Sequence, residues 1–231
     1  MSLFDIERPS YAYDPRRGIR FSEEERRSLT IAVIVLTFCF AVAFSSNGLF
    51  DLLARISQKG FLSRFVITLL TSFIAVLTAF VLHEMGHKVV ANHYGYPAAF
   101  SYSRNGLIFA AVISLFLGVL FAAPGAVIIY GMPSKRENGI ISLAGPLTNL
   151  LVAMVFGIIF VFAFFFSFTF GIGSILANIA FIVTTINIFI GAFNMIPIGI
   201  LDGAKILRWN KIAYFILLMF FLPGIIIIFI I

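Results

Sequence analysis

The sequence predicts an all-α fold, a polytopic helical membrane bundle of about six membrane segments, and three observations lead there. Of 231 residues, 61% are hydrophobic and 11% charged, against roughly 45–50% and about 25% in soluble domains. Such a chain lacks the polar surface to cover itself in water. Stretches free of Asp, Glu, Lys, Arg and His run over residues 28–50, 65–82, 105–134, 138–201 and 212–231, close to or beyond the roughly 20 residues that a helix needs to cross the hydrocarbon. None of them alternates polar with apolar residues as the strands of a membrane barrel do. The single Cys39, inside an apolar run, excludes a disulfide scaffold.

Residues 1–27 form a polar tail and residues 28–231 an integral membrane domain. The tail holds six of the sixteen basic residues, interspersed with Glu7, Glu23, Glu24 and Glu25. Acidic residues and length make it a poor signal peptide, so residues 29–44 are expected to stay as the first membrane helix. The net charge of +6 comes from small groups of Lys and Arg between apolar runs, with no basic patch interleaved with aromatics. A nucleic-acid partner is therefore not expected. The next helix spans residues 65–91. The long run 138–201 must hold two spans, with Gly171 and Gly173 marking the turn, and residues 212–231 supply the last.

Residues 105–134 are the hard case, apolar enough to cross once but interrupted by Gly118 and Pro124-Gly125. If they cross, each side of the membrane carries eight basic residues. If they return as a re-entrant segment or a hairpin, the cytoplasmic side carries 13 and the other side three. The positive-inside rule selects the return. It places the N-terminus in the cytoplasm, and irregular backbone at that depth must line a protein-covered or watery cavity.

Eight of the ten acidic residues are assigned to the tail or to loops, whereas Glu84 and Asp202 are placed at or just inside the ends of apolar spans, where a carboxylate is costly without a partner or a task. Two of the three histidines flank Glu84 in His83-Glu84-Met85-Gly86-His87. Positions four apart on a helix differ by about 40° and about 6 Å, so both imidazoles reach one ion. Zinc suits neutral imidazole nitrogens and a carboxylate in tetrahedral array with one position left for water. Glu84 is then placed to take the proton of the attacking water and pass it to the leaving amine. Two residues compete for third ligand. His93, ten residues after His83, requires a helix break after His87, since an unbroken helix puts it about 15 Å away along the axis. Asp202 reaches the same membrane side as His83 only if residues 105–134 return. Charge counting and metal geometry thus agree on Asp202.

His83-Glu84-x-x-His87 paired with Asn194-x-x-Pro197-x-x-x-Leu201-Asp202-Gly203 resembles the site-2 protease family of intramembrane zinc metalloproteases. Ala144-Gly145-Pro146-Leu147-Thr148-Asn149 is similar to that family's AGPxxN segment, so the likeness covers a core of about residues 65–207. It implies regulated intramembrane proteolysis with one Zn2+ per chain, ligands His83, His87 and Asp202, and Glu84 as catalytic base. The implied partner is a membrane-anchored protein with a single transmembrane helix; since hydrolysis needs water, the site is expected near the cytoplasmic interface or at the end of a polar channel. The length leaves no room for the PDZ or CBS modules of some members, and Asp202-Gly203-Ala204-Lys205 lacks the common double glycine. Ala123-Pro124-Gly125-Ala126-Val127 resembles the family's edge segment, which pairs with extended substrate.

Asn149 and Asn194 sit in apolar spans, where each amide must find a partner. They either hold the substrate backbone or oxyanion or join helices. Asn187 reads as packing, and Lys88 as snorkelling to the interface. Gly145-Pro146 and Pro197-Gly199 loosen helices near the metal or simply kink them, and the Phe-rich run 160–170 faces lipid. Two rivals remain. A prenyl-protein-processing zinc protease also uses HExxH but draws a Glu from a later segment, and none follows Glu137. A metal transporter or metal-binding membrane module would not need Glu84 for hydrolysis.

Overall fold

The computed structural model describes residues 21–45, 48–117, 125–170 and 173–230. The polar tail through residue 20, and with it most of the predicted tail segment, lies outside them, as do Gly118, Pro124 and Gly171. In chain order the elements are α1 (Glu23–Ser45), α2 (Leu49–Arg55), α3 (Phe61–Val76), a π-helical turn (Leu77–Val81), α4 (Leu82–His93) and β1 (Ala98–Tyr102). There follow α5 (Arg104–Leu117), β2 (Gly125–Ile129), α6 (Lys135–Phe170), α7 (Ser174–Asn194), α8 (Asp202–Trp209) and α9 (Lys211–Ile230). Four helical stretches are long and apolar enough to cross a membrane: Glu23–Ser45, Phe61–His93, Lys135–Ser167 and Ile175–Asn194. Two shorter apolar helices, Arg104–Phe116 and Lys211–Ile226, bring the apolar segments among the described residues to six.

The chain divides into two compact units, residues 1–76 with 97–130, and residues 77–96 with 131–231. In the first, Ser22 Oγ accepts the Glu25 amide at 3.0 Å and caps α1. The acidic first turn Glu23–Glu25 suits the positive end of that helix. Glu25 itself is buried, and its Oε1 accepts the Phe100 amide of β1 at 2.9 Å. Ser114 Oγ donates to Cys39 O at 2.7 Å, tying α5 to α1.

β1 and β2 pair antiparallel with Tyr102 opposite Gly125, so the chain between them leaves and comes back at one place. α5, 14 residues long, measures about 21 Å, short of the roughly 30 Å of hydrocarbon. The pairing sets residues 102 and 125 side by side, as the expected returning segment requires, and α5 alone is too short to cross. The segment read from its resemblance as an edge falls on β2 over Gly125–Val127, and its pairing with β1 within the chain is a feature the sequence reading lacked.

The second unit is built on α6, whose 36 residues extend about 54 Å. Ser134 and Glu137 start it as a capping box: Glu137 N donates to Ser134 Oγ at 3.3 Å and Ser134 N to Glu137 Oε2 at 2.7 Å. The same carboxylate accepts from Tyr96 Oη at 2.9 Å, which pushes that phenol above its ordinary value. Helix α7 turns back along α6 through Gly173, whose φ of 109° suits glycine. A core of Leu150, Met195, Ile206, Tyr214, Leu217 and Phe221 fastens α8 and α9 to α6. On the outer face of α6, Phe162, Phe164, Phe165 and Phe166 are all more than half exposed. Such exposure of large apolar rings is what the expected lipid-facing surface requires.

Candidate metal centre

Helix α4 runs unbroken from Leu82 to His93. Its buried residues are His83, Glu84, His87, Lys88 and Ala91, one, three or four positions from one another, so they share one inward face. Lys88 lies on that face and is wholly buried, which corrects the expectation that it snorkels outward. His93 is exposed at the helix end with its ring against Tyr94.

His83 Nε2 lies 3.1 Å from His87 Nε2. Asp202 Oδ2 lies 3.3 Å from the first and 3.1 Å from the second. Asp202 opens α8 and its other oxygen faces Lys205 Nζ at 3.6 Å. All three side chains are buried, and among the described residues they form the one His, Cys, Asp or Glu cluster with the closeness of a metal site.

The hydrogen bonds behind the rings decide which nitrogen carries the proton. Ile141 O can only accept, so His87 Nδ1, 2.8 Å away, donates to it. Asn149 Nδ2 donates to Ala79 O at 2.9 Å and to Asn187 Oδ1 at 3.0 Å. That leaves Asn149 Oδ1 to accept from His83 Nδ1. In its neutral form each ring therefore carries its lone pair on Nε2. With both rings neutral, three lone-pair atoms stand 3.1–3.3 Å apart, with no hydrogen for the two imidazoles to share. A cation among them resolves the repulsion. Ligands about 2.0 Å from a tetrahedral ion are about 3.3 Å apart, so the spacing fits zinc.

Close approach of the neighbouring backbone closes the site. Gly145, in α6, faces the rings, and a Cβ there would fall 2.6 Å from His83 Nε2 and 2.5 Å from His87 Cε1. The next residue, Pro146, lies inside the same helix. It supplies no amide hydrogen and crowds the carbonyl one turn back, in the turn whose Ile141 carbonyl serves His87. At Gly203 a Cβ would strike the Met195 carbonyl, so the loop before Asp202 can cross only a glycine. Tyr214 Oη donates to that same carbonyl at 2.9 Å and pins it.

Glu84 is buried beside His83 on α4. Asn149 is completely buried, its amide engaged with His83, Ala79 and Asn187. Asn194 is half-buried at the end of α7 and its Nδ2 donates to Ile190 O at 3.0 Å. The sequence reading missed the parts played by Gly145 and Asn187. Their signal was present: a glycine before a proline in an apolar helix, and two amides in separate spans each needing partners.

No family model and no solved structure matches the chain. It is 36% identical over 196 residues, 84% of its length and 89% of the relative's, to "Putative zinc metalloprotease MJ0611" of Methanocaldococcus jannaschii. It is 27% identical over 136 residues, 59% of its length and 33% of the relative's, to "Zinc metalloprotease MJ0392" of the same organism. With four candidate spans, a buried pair of imidazoles facing one carboxylate, and a relative alike over most of both chains, this membrane protein belongs to the site-2 protease-like family of zinc metalloproteases.

Proposed function

We propose that the protein is an intramembrane zinc endopeptidase that hydrolyses a peptide bond in the transmembrane helix of a membrane-anchored protein. The convergence of His83 Nε2, His87 Nε2 and Asp202 Oδ2 to within 3.1–3.3 Å carries this reading. The location of both histidines on the apolar stretch Phe61–His93 supports an intramembrane site. His83, His87 and Asp202 hold one zinc ion per chain. Bound there, zinc supplies Lewis acidity, polarising a carbonyl and making water a nucleophile near neutral pH.

The chain's own groups do the rest. Asn149 and Ile141 keep the imidazole protons on Nδ1, so each ring presents its Nε2 lone pair. Glu84 accepts a proton from the attacking water on its carboxylate and delivers it to the leaving amide nitrogen. Asn194 holds substrate backbone near the scissile bond, whereas Asn149 serves His83. The N-terminus and the active-site end face the cytoplasm, following the distribution of basic residues. A helical substrate shields its peptide bonds, so it must unwind locally, and Pro or Gly near the cut favours that.

The test is cleavage of a single-span fusion protein in proteoliposomes by wild type and Glu84→Gln. Wild type is expected to cut within the span, and Glu84→Gln to retain one zinc and lose at least about 100-fold in rate. Cutting confined to residues outside the span, or full activity in Glu84→Gln, would overturn the reading.

A further inference from the structure

Asn187 hydrogen-bonds to Asn149, Thr78 and Val183 and not to the three ligands, and it is wholly buried in α7 and bonded at both ends. An amide side chain has a donor end and an acceptor end of nearly the same shape, so its partners decide which way it points. Val183 O can only accept, and Asn187 Nδ2 donates to it at 2.9 Å and to Thr78 Oγ1 at 3.2 Å. That turns Asn187 Oδ1 toward Asn149, whose Nδ2 donates to it at 3.0 Å and to Ala79 O at 2.9 Å. The acceptor end of Asn149 then faces His83, whose Nδ1 must carry the proton. Reversing the Asn149 amide would bring its NH2 against Nδ1, draw the lone pair there and put the proton on Nε2. A protonated Nε2 binds no metal.

We propose that Asn187 is a positioning residue of the zinc centre: it holds the Asn149 amide, and through it the His83 imidazole, in the polarity that leaves Nε2 open to the ion. This rests on the metal-centre reading above. Two backbone carbonyls, Val183 O and Ala79 O, set the direction of the whole series, and neither can be reversed. Ala79 belongs to the π-helical turn just before α4, so the wide turn and the histidine helix are read by the same amide. Each of the two hydrogens of Asn149 Nδ2 has its own acceptor. Removing Asn187 would leave Ala79 O alone to hold the orientation.

The test uses the full chain in detergent with 15N-labelled histidine, where three histidines contribute signals and His83→Gln assigns one of them. Zinc-free wild type is expected to hold His83 as the Nδ1–H tautomer. Asn187→Leu, of similar shape but apolar, is expected to mix the tautomers and weaken zinc binding about tenfold in chelator competition. Asn187→Asp, when protonated, again offers an acceptor to Asn149 and a donor to Val183 O. It is expected to return zinc affinity to within about threefold of wild type. An Nε2–H tautomer in wild type overturns the proposal without any variant having to fold. So does wild-type affinity in Asn187→Leu, or an equal loss in both variants, which is what a merely structural role produces. Failure of the metal-centre reading has a different mark, namely zinc affinity unchanged in His83→Gln itself.

Discussion

Replacing Gly145 with alanine adds one methyl group at the place where α6 faces the two imidazoles. The added carbon would sit 2.6 Å from His83 Nε2 and 2.5 Å from His87 Cε1, where unstrained contacts of such atoms lie near 3.5 Å. The rings must therefore withdraw by on the order of 1 Å, whereas ligand distances in a working metal site tolerate about 0.2 Å. Loss of good geometry at two of three ligands is expected to weaken zinc binding by at least about 100-fold, or about 2.7 kcal/mol. Chelator competition on detergent-purified protein measures it directly. Gly157→Ala is the control: it lies in the same helix, with Thr184 Cγ2 as its nearest neighbour at 3.8 Å, an ordinary contact. Alanine there is favoured by up to about 1 kcal/mol of helix propensity and should leave zinc untouched. Gly145→Ala protein that folds and binds zinc within about threefold of wild type would refute the placement of α6 against the ligand nitrogens.

Two further outcomes are expected. Metal analysis of Asp202→Ala and His93→Ala should find zinc lost in the first and kept in the second, because Asp202 Oδ2 lies 3.1 Å from His87 Nε2 while His93 is exposed at the helix end; the opposite pattern would hand the third ligand to His93. Tyr214→Phe leaves the buried Met195 carbonyl without its hydroxyl partner, so thermal unfolding should show a loss of about 1–3 kcal/mol, and an unchanged melting temperature would show that the bond holds nothing.

Much of the site was legible because charge is scarce in this chain. With two acidic residues at the ends of apolar spans and two histidines flanking one of them, the chemistry had few places to sit. The distribution of Lys and Arg predicts a return of the segment after α4, and the antiparallel pairing of residues 98–102 with 125–129 agrees with it. Strand β1, the partner of the edge segment, was not legible. Residues 98–102 are buried nearly throughout, and a strand buried on both faces shows no alternation to separate it from an apolar helix. The π-helical turn was hidden for a related reason, since no residue type marks a turn of that width. Lys88 was misjudged because its neighbours on the helix face, not its own chemistry, decide whether it reaches the surface. The role of Asn187 depends on amide partners 38 and 109 residues away, and only folding brings those together.

Helices in lipid gain nothing from the hydrophobic effect by meeting one another, since acyl chains are as apolar as their side chains. Cohesion falls to close backbone approach and to polar pairs. Around α6 those ties are Gly145, Asn149 and the pair Tyr96 and Glu137, and the first two also line the candidate metal site. An ion bridging α4 and α8 would close a loop of more than a hundred residues and add a further tie of the same kind. The groups that make the centre reactive are thus also the adhesive of this unit. Selection for activity and selection for assembly act on the same atoms, and few substitutions there can alter one without the other.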